Sequence, residues 1–265
     1  MAGTPKEFVN AGGERLRLGA ELGRGGEGSV FSVQGSPELV AKVYHRPPDR
    51  GHQQKLLTMV GQTDHKLKQY VAWPEYTLHE RAGGPVLGFV MPKMGDRDAI
   101  HSVYSPAHRK REKPSRKWDF LLLAARNTAA AVETVHERGH VIGDLNQNGV
   151  LISDHGRAAL IDSDSFQIRT NGHVFRCRVG VPEFTPPELQ GLASFDSVDR
   201  TANHDNFGLA VLIFQLLLGG RHPFSGVPQR SDVGNDMGED IRAFRYADSV
   251  DKAKRGLAPP PKSVP

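Results

Sequence analysis

Between residues 15 and 91 the apolar positions come in short alternating or β-branched runs, at 16–22, 29–33, 39–44, 76–79 and 86–91, with clusters of Gly and Pro between them. Alternation of this kind turns one side of a strand inward, and the Gly and Pro clusters supply the turns of a meander. One helical stretch interrupts the strands near residues 53–60, where Leu56, Leu57 and Val60 recur at helical spacing. After Met91 the period changes. Trp118, Leu121, Leu122, Ala125, Ala129, Val132 and Val135 trace one stripe of a long helix, with Ser115 as its cap and Gly139 as its stop. A second helix over about 205–218 is apolar on nearly every face, which suits only the centre of a domain. Two strand-like runs, 149–152 and 158–161, lie between these helices. The pattern predicts an α+β chain in two parts: a small antiparallel sheet with one helix over residues 1–92, and a larger, mainly helical part over 93–265. No repeat at solenoid periods appears, and the one low-complexity piece is the end bearing Pro259, Pro260, Pro261 and Pro265, read as an extended tail.

Composition narrows the class. At about 150 residues per domain, 265 residues suit one two-lobed domain or two small ones. With 38% hydrophobic and 24% charged residues, disordered and fibrous chains are excluded. A lone cysteine, Cys177, rules out an internal disulfide framework or a multi-cysteine zinc site and points to a reducing compartment. The longest apolar run, 209–218, is far short of the ~20 residues a membrane helix needs, and the first residues lack a signal-like apolar stretch. A cytoplasmic protein with no membrane segment is the expectation. The net charge of +4 suggests nucleic acid only superficially, because residues 109–117 hold six Lys or Arg against one Glu and outweigh it alone. That stretch, broken by Pro114 and without aromatics, reads as a solvated loop; a phosphate-contacting patch is the weaker alternative.

The sharpest chemical signal is Gly23-Arg24-Gly25-Gly26-Glu27-Gly28-Ser29-Val30. A dinucleotide fold would put such glycines at the opening of a helix. Here Val30, Phe31 and Val33 continue as strand, so a glycine-rich hairpin over phosphates fits better, against the alternative of a plain turn. Fourteen residues on, Val40-Ala41-Lys42-Val43 sets a lysine inside an apolar strand. A buried ammonium needs an anion, such as a phosphate, unless it snorkels from an edge strand. Asp144, in Val141-Ile142-Gly143-Asp144-Leu145-Asn146-Gln147-Asn148-Gly149-Val150-Leu151, and Asp162, after Ala159-Leu160-Ile161, are eighteen residues apart. One suits a substrate hydroxyl and the other Mg²⁺, as phosphoryl transfer requires, although each taken alone is more often a turn or capping aspartate.

With these motifs in order, the chain resembles the protein kinase family. Gly180-Val181-Pro182-Glu183-Phe184-Thr185-Pro186-Pro187-Glu188 is similar to the segment closing the family's activation loop, and His204-Asp205-Asn206-Phe207-Gly208 with His222-Pro223-Phe224 to the helix and turn that follow. Within the family it most resembles a divergent bacterial branch of eukaryotic-like Ser/Thr kinases. The resemblance implies a bilobal α+β kinase fold and a Ser/Thr kinase using ATP and Mg²⁺ on a protein substrate. It also implies a setting of stress or tellurite-resistance genes and a cognate phosphatase partner.

Carried over by position, Gly23, Gly25 and Gly28 would cover the phosphates, Leu22, Val30 and Val40 would roof the adenine, and Leu151 would floor it. Met91, Pro92 and Met94 would form the hinge. Lys42 would pair the α- and β-phosphates, Asp144 would orient the nucleophile, and Asp162 would hold metal, with Asn148, Asn146 or Asp164 as the further metal contact. Departures are equally visible. No glutamate occurs between Lys42 and Glu75, so Lys42 is expected to be held mainly by Asp162, with Gln53 or Gln54 adding at most a hydrogen bond. Asn146 stands at the family's catalytic-loop lysine, Val181 at the threonine that contacts it, and Gly149 at the metal-binding asparagine. The alternative is a pseudokinase scaffold that binds nucleotide or a partner. The stretch after Phe224 shows little apolar periodicity, so the second part is expected to be truncated.

Overall fold

A computed structural model describes residues 7–170, 172–251 and 256–259 of the chain. Residues 1–6 and the prolines 260, 261 and 265 of the expected tail lie outside them. In chain order the strands and α-helices are β1 (Glu7–Val9), β2 (Arg15–Arg24), β3 (Gly28–Val33), β4 (Ser36–Tyr44), α1 (Arg50–Gly61), α2 (His65–Tyr70), β5 (Tyr76–Leu78), β6 (Gly88–Pro92), β7 (Arg97–Ala99), α3 (Ile100–Tyr104), α4 (Pro106–Glu112), α5 (Trp118–His136), β8 (Val150–Ser153), β9 (Ala158–Leu160), β10 (Ile168–Thr170), β11 (His173–Phe175), α6 (Ala202–Leu217), β12 (Val227–Pro228), α7 (Met237–Arg242) and β13 (Leu257–Ala258). Two compact units result. One holds the described residues up to Gly95 with Ile161–Asp164 and Ile168–Phe175; the other holds Asp96–Leu160, Ser165–Gln167 and the described residues from Arg176 onward.

The first unit is built on a six-stranded sheet in the order β1-β2-β3-β4-β6-β5, with neighbouring strands antiparallel throughout. Gln34 and Gly35 join β3 to β4, with Gly35 at a φ of 82°, which a two-residue hairpin favours. Leu18, Phe31, Val33, Ala41, Leu78 and Val90 form the apolar core on this sheet. Helix α1 starts where Asp49 accepts a hydrogen bond from the His52 amide, and it buries Lys55, Leu56 and Met59. A second short helix, α2, follows it, capped by Asp64. The apolar pattern predicts only one helix here because six residues are too few to show a period.

In the second unit, α5 lies against α6 and β9 and buries Leu121, Ala124, Ala125, Thr128, Val132 and Val135, while α6 is buried along Val211, Leu212, Gln215 and Leu216. Ser115 does not cap α5; Lys117 occupies that position without a side-chain cap, while Gly139, at φ 73°, ends the turn after the helix as expected. β8 and β9 pair as expected, and β7, too short to be seen in the sequence, completes their sheet. Residues 109–117 are not one solvated loop. Pro106–Glu112 is helical, and Arg116 is buried in ion pairs with Asp98 and Asp154. After Phe224, α7, the β12–β13 pair and a small core of Val233, Ala247 and Leu257 give order where no period was legible.

Gly208 of α6 shows how tightly this unit closes: a Cβ there would stand 2.6 Å from the Leu145 carbonyl oxygen. Alanine would gain about 0.8–1 kcal/mol of helix propensity. Forcing it against a backbone carbonyl costs about 1–3 kcal/mol. Gly208→Ala should therefore lower stability by roughly 1 kcal/mol in urea unfolding; a variant more stable than wild type would show that the Leu145 turn yields freely.

Candidate functional site

The glycine-rich turn of the first unit is a strand-to-strand connection, with no helix at its end. The Gly25 amide donates to the Gly28 carbonyl (2.8 Å), and the His45 amide donates to the Glu27 carbonyl (2.8 Å). The His45 ring lies 3.3 Å from the Gly26 carbonyl and 3.2 Å from the Ser29 hydroxyl, so it latches the far side of the turn. Gly28 has to be glycine because a Cβ would meet the Val43 carbonyl oxygen at 2.6 Å. Gly23, Gly25 and Leu22 are exposed, Val30 is half-buried, and Val40 is buried opposite Met91, with Leu39 opposite Pro92. Met94 is half-buried just beyond β6.

Lys42 sits on β4, which is flanked by β3 and β6, so it does not snorkel from an edge. Its Nζ lies 3.0 and 2.8 Å from the two carboxylate oxygens of Asp164 and 3.9 Å from Asp162. The expectation that Asp162 would be its main partner is therefore corrected: Asp164 is. No hydrogen bond from Gln53 or Gln54 to Lys42 occurs among the described residues; the Gln53 side chain donates to the Pro48 carbonyl and accepts from the Val86 amide. The helix face that would have carried a glutamate carries Lys55, whose Nζ donates to the Asp164 backbone carbonyl at 2.7 Å. The Tyr44 hydroxyl donates to Asp164 (2.7 Å) and stands 3.1 Å from His52 Nε2, and the Ser163 hydroxyl donates to the Ala72 carbonyl (2.6 Å).

Electrostatics follow from this packing. Burial pushes the Lys42 ammonium down, but the charge of Asp164 and its hydrogen bond, helped by Asp162, hold it above the ordinary lysine value. Burial likewise pushes the Asp164 carboxyl up, and Lys42 with Tyr44 outweighs that and holds it below the usual carboxylate range. Burial and the Asp164 charge together raise the Tyr44 hydroxyl, which stays protonated and a donor. The two aspartates differ sharply: the Asp164 side chain is 2% exposed and the Asp162 side chain 64%. Asp162 also holds φ at 55°, a conformation that costs about 1–3 kcal/mol in a non-glycine residue and collects at functional sites.

In the second unit the organising residue is Asp205 of α6. Its buried carboxylate accepts from the Ile142 and Gly143 amides, both at 2.7 Å, and contacts His136 Nε2 at 2.8 Å. These bonds fix the turn that presents Asp144, one oxygen of which accepts from the Val181 amide at 3.1 Å. Asn146 is buried and turns its side chain onto the same turn, donating to the Asp144 carbonyl and accepting from the Asn148 amide. Asn148 itself is exposed. Gly149 closes the turn with its amide on the Asn146 carbonyl, and Leu151 pairs with Ala99 and Ala159. Sequence reasoning missed Tyr44, His52, Ser163 and Lys55 as parts of the site. Lys55 did carry a signal, a lysine on the face of Leu56 and Met59.

Comparison with known proteins gives a consistent picture. No protein-family model matches the chain. It is 54% identical over 260 residues to the protein named protein kinase YegI of Escherichia coli K12, and 54% identical over 258 residues to its counterpart in strain O157:H7; these alignments take in 98% and 97% of this chain. The chain spans 40% of the length of those relatives. A weaker similarity, 30% over 129 residues, covers 49% of this chain and 14% of the serine/threonine-protein kinase kin-29 of Caenorhabditis briggsae. Among solved structures, the ROP18 kinase domain in complex with AMP-PNP and sucrose superposes with a TM-score of 0.61 at 18% identity, covering 92% of this chain and 78% of that one. That likeness shows a bilobal α+β kinase fold.

His140, four residues before Asp144, gives the region a pH dependence. Burial, with the nearby Arg138 charge, lowers its pKa to about 4. In the unfolded chain it titrates near 6.5, so between these values the unfolded state binds a proton that the folded state does not, and stability rises with pH. The contribution should be complete above about pH 6.5 and lost as pH falls toward 4. Denaturant unfolding of wild type and His140→Gln should therefore show their difference shrinking over that window; a constant difference would contradict a neutral buried imidazole.

Proposed function

We propose that this chain is a protein kinase of a divergent bacterial branch and that it transfers the γ-phosphoryl group of Mg·ATP to Ser or Thr hydroxyls of a protein. The observation that carries the proposal is Asp144. Its turn is pinned by the buried Asp205, one of its oxygens is held by the Val181 amide, and no hydrogen bond to the other is found among the described residues. A fixed carboxylate with a free acceptor can orient a substrate hydroxyl and receive its proton as the new P–O bond forms. Lys42 supplies positive charge for the α- and β-phosphates, and Gly23, Gly25 and Gly28 let a backbone turn approach them. By the family resemblance, Leu22, Val30, Val40 and Leu151 would supply apolar surface for the adenine, with Met91, Pro92 and Met94 as its hinge.

The residues fit Mg²⁺ in a limited way. Asp162 offers an exposed hard oxygen, whereas Asp164 has its carboxylate engaged by Lys42 and Tyr44 and is withdrawn as a metal ligand. Asn146 has its oxygen on the Asn148 amide, which leaves the Asn148 side chain as the remaining oxygen donor of the three. No group of three or more His, Cys, Asp or Glu suited to a metal occurs among the described residues; in the proposed reaction the cation would be held by one or two protein oxygens and by substrate phosphates. When bound, Mg²⁺ would neutralise the charge developing on the transferred group.

Ser/Thr specificity is supported by the similarity to kin-29, and ATP by the AMP-PNP bound to ROP18. No helix among the described residues is long and apolar enough to cross a membrane; a cytoplasmic setting rests on the lone Cys177 and the apolar pattern, and a signalling or stress role and a partner phosphatase rest on the family resemblance alone. A second reading, a nucleotide-binding scaffold, is favoured by one feature: Asn146 is turned onto its own backbone and Gly149 has no side chain, so two positions that assist transfer in the family are silent.

Labelled ATP and a generic protein acceptor decide between the readings. Wild type should transfer phosphate, and Asp144→Asn should lose at least about 10²-fold, the low end for general-base loss. Stabilisation by Mg·ATP without any transfer would leave the scaffold. Mg·ATP at 100 times its dissociation constant should stabilise the fold by about 2.7 kcal/mol, and Lys42→Met should remove most of that gain. Unfolding indifferent to ATP would exclude nucleotide binding altogether.

A further inference from the structure

We propose that Asp164 is a positioning residue: it, and no carboxylate on helix α1, holds Lys42 in place for the nucleotide. The inference deepens the kinase reading and rests on it for the nature of the ligand.

A lysine ammonium on an interior strand keeps its charge only beside an anion. Helix α1 cannot provide one. It carries no Asp or Glu, and its side chains at this spot are cationic or neutral: Lys55 donates to the Asp164 carbonyl, and His52 lies against Tyr44. Asp164 contacts Lys42 with both oxygens, and a second donor, the Tyr44 hydroxyl, fixes one of them. The residue is then immobilised from three sides: Lys42 and Tyr44 on its carboxylate, Lys55 on its carbonyl, and Ser163, its neighbour in the short Ser163–Ser165 turn, on the Ala72 carbonyl.

The arrangement exchanges the usual logic of charge between two elements. The segment after β9 gives the acid, and the helix gives a base that clamps that segment. One consequence is mechanical. Asp162 directly precedes the pinned Ser163–Ser165 turn that carries Asp164, so the exposed carboxylate and the lysine's anchor are coupled through the intervening Ser163. Lys42 is thus held in place whenever that turn is formed, whatever rotation α1 makes about its own axis short of releasing Lys55. A second consequence concerns roles. A carboxylate whose oxygens are already taken by an ammonium and a phenol is a poor cation ligand, and its sequence position two residues after Asp162 is explained without one.

The test compares wild type, Asp164→Asn and Tyr44→Phe, by crystallography and by steady-state transfer from ATP. With Asp164→Asn, Lys42 Nζ should leave its wild-type position by more than about 1 Å, a misplacement that costs on the order of 10²-fold in rate. Accordingly kcat should fall about 10- to 100-fold, while KM for ATP should stay within about threefold because the ammonium remains to attract phosphate. Tyr44→Phe leaves the charge and removes one hydrogen bond, so kcat should fall about three- to tenfold with KM unchanged; it decides the matter if Asp164→Asn does not fold. Lys42 unmoved in Asp164→Asn, or kcat unchanged in either folded variant, would overturn the proposal. So would recovery of Asp164→Asn at high Mg²⁺, which would make Asp164 a metal ligand. If wild type transfers no phosphate, the kinase reading fails while the position of Lys42 in the two crystal structures still judges this inference.

Discussion

The buried pair of Lys42 and Asp164 is the interaction around which the first unit is arranged. Removing one partner of such a pair costs about 3–5 kcal/mol, because a charge is left in the interior without compensation. The unit is therefore committed to keeping both in place. It does so through a connected set of polar contacts, with Tyr44 on the carboxylate, His52 on Tyr44, Lys55 on the carbonyl of Asp164, and Ser163 on that of Ala72. Replacing the pair with apolar side chains would fill the same volume at a lower cost in desolvation. Its retention on a strand next to the glycine-rich turn is what an anion-binding role for Lys42 would require.

The second unit uses a buried carboxylate differently. Asp205 accepts from two backbone amides and contacts a histidine ring, with no lysine or arginine against it among the described residues, so its charge fixes the path of a turn and not the place of a side chain. Hydrogen bonds to a carboxylate are roughly twice as strong as neutral ones, and amides at a tight turn would otherwise lack partners. The closeness of α6 to this turn, with Gly208 against the Leu145 carbonyl, is part of the same device: only glycine lets the helix approach so nearly. Asp144 is presented by a backbone held from behind, and this is how a half-buried aspartate can be both fixed and available.

Replacement of family residues is thus of two kinds in this chain. The missing helix glutamate has a structural successor in Asp164, supported by a complete set of donors. Asn146 and Gly149 have none of that character. Asn146 satisfies its own loop, and Gly149 contributes only an amide to the turn. The first kind preserves the placement of charge; the second lowers the number of groups that can assist it, so in the proposed transfer the burden of orienting phosphate would fall on Lys42 and Asp162.

Much of this was legible in the sequence. Alternation located β2, β3, β4, β5 and β6 to within a few residues, and the two long helices α5 and α6 announced themselves by stripe and by all-round apolarity, because periodicity is a local property that survives without any partner. The glycine turn, Lys42, Asp144 and Asp162 stood out by motif and spacing, not by periodicity. What the sequence left open was which charge meets which. Asp162 and Asp164 are separated by a single residue, lie more than a hundred residues from Lys42, and carry the same group. A short 3₁₀ turn sends Ser163 and Asp164 inward and leaves Asp162 in solvent, and only the packing of Lys55, Tyr44 and Ala72 around that turn decides the direction. Short elements such as α2 and β7, and the ion pairs of the buried Arg116, were hidden for the same reason: their stability comes from contacts distant in the chain, to which no local pattern is bound.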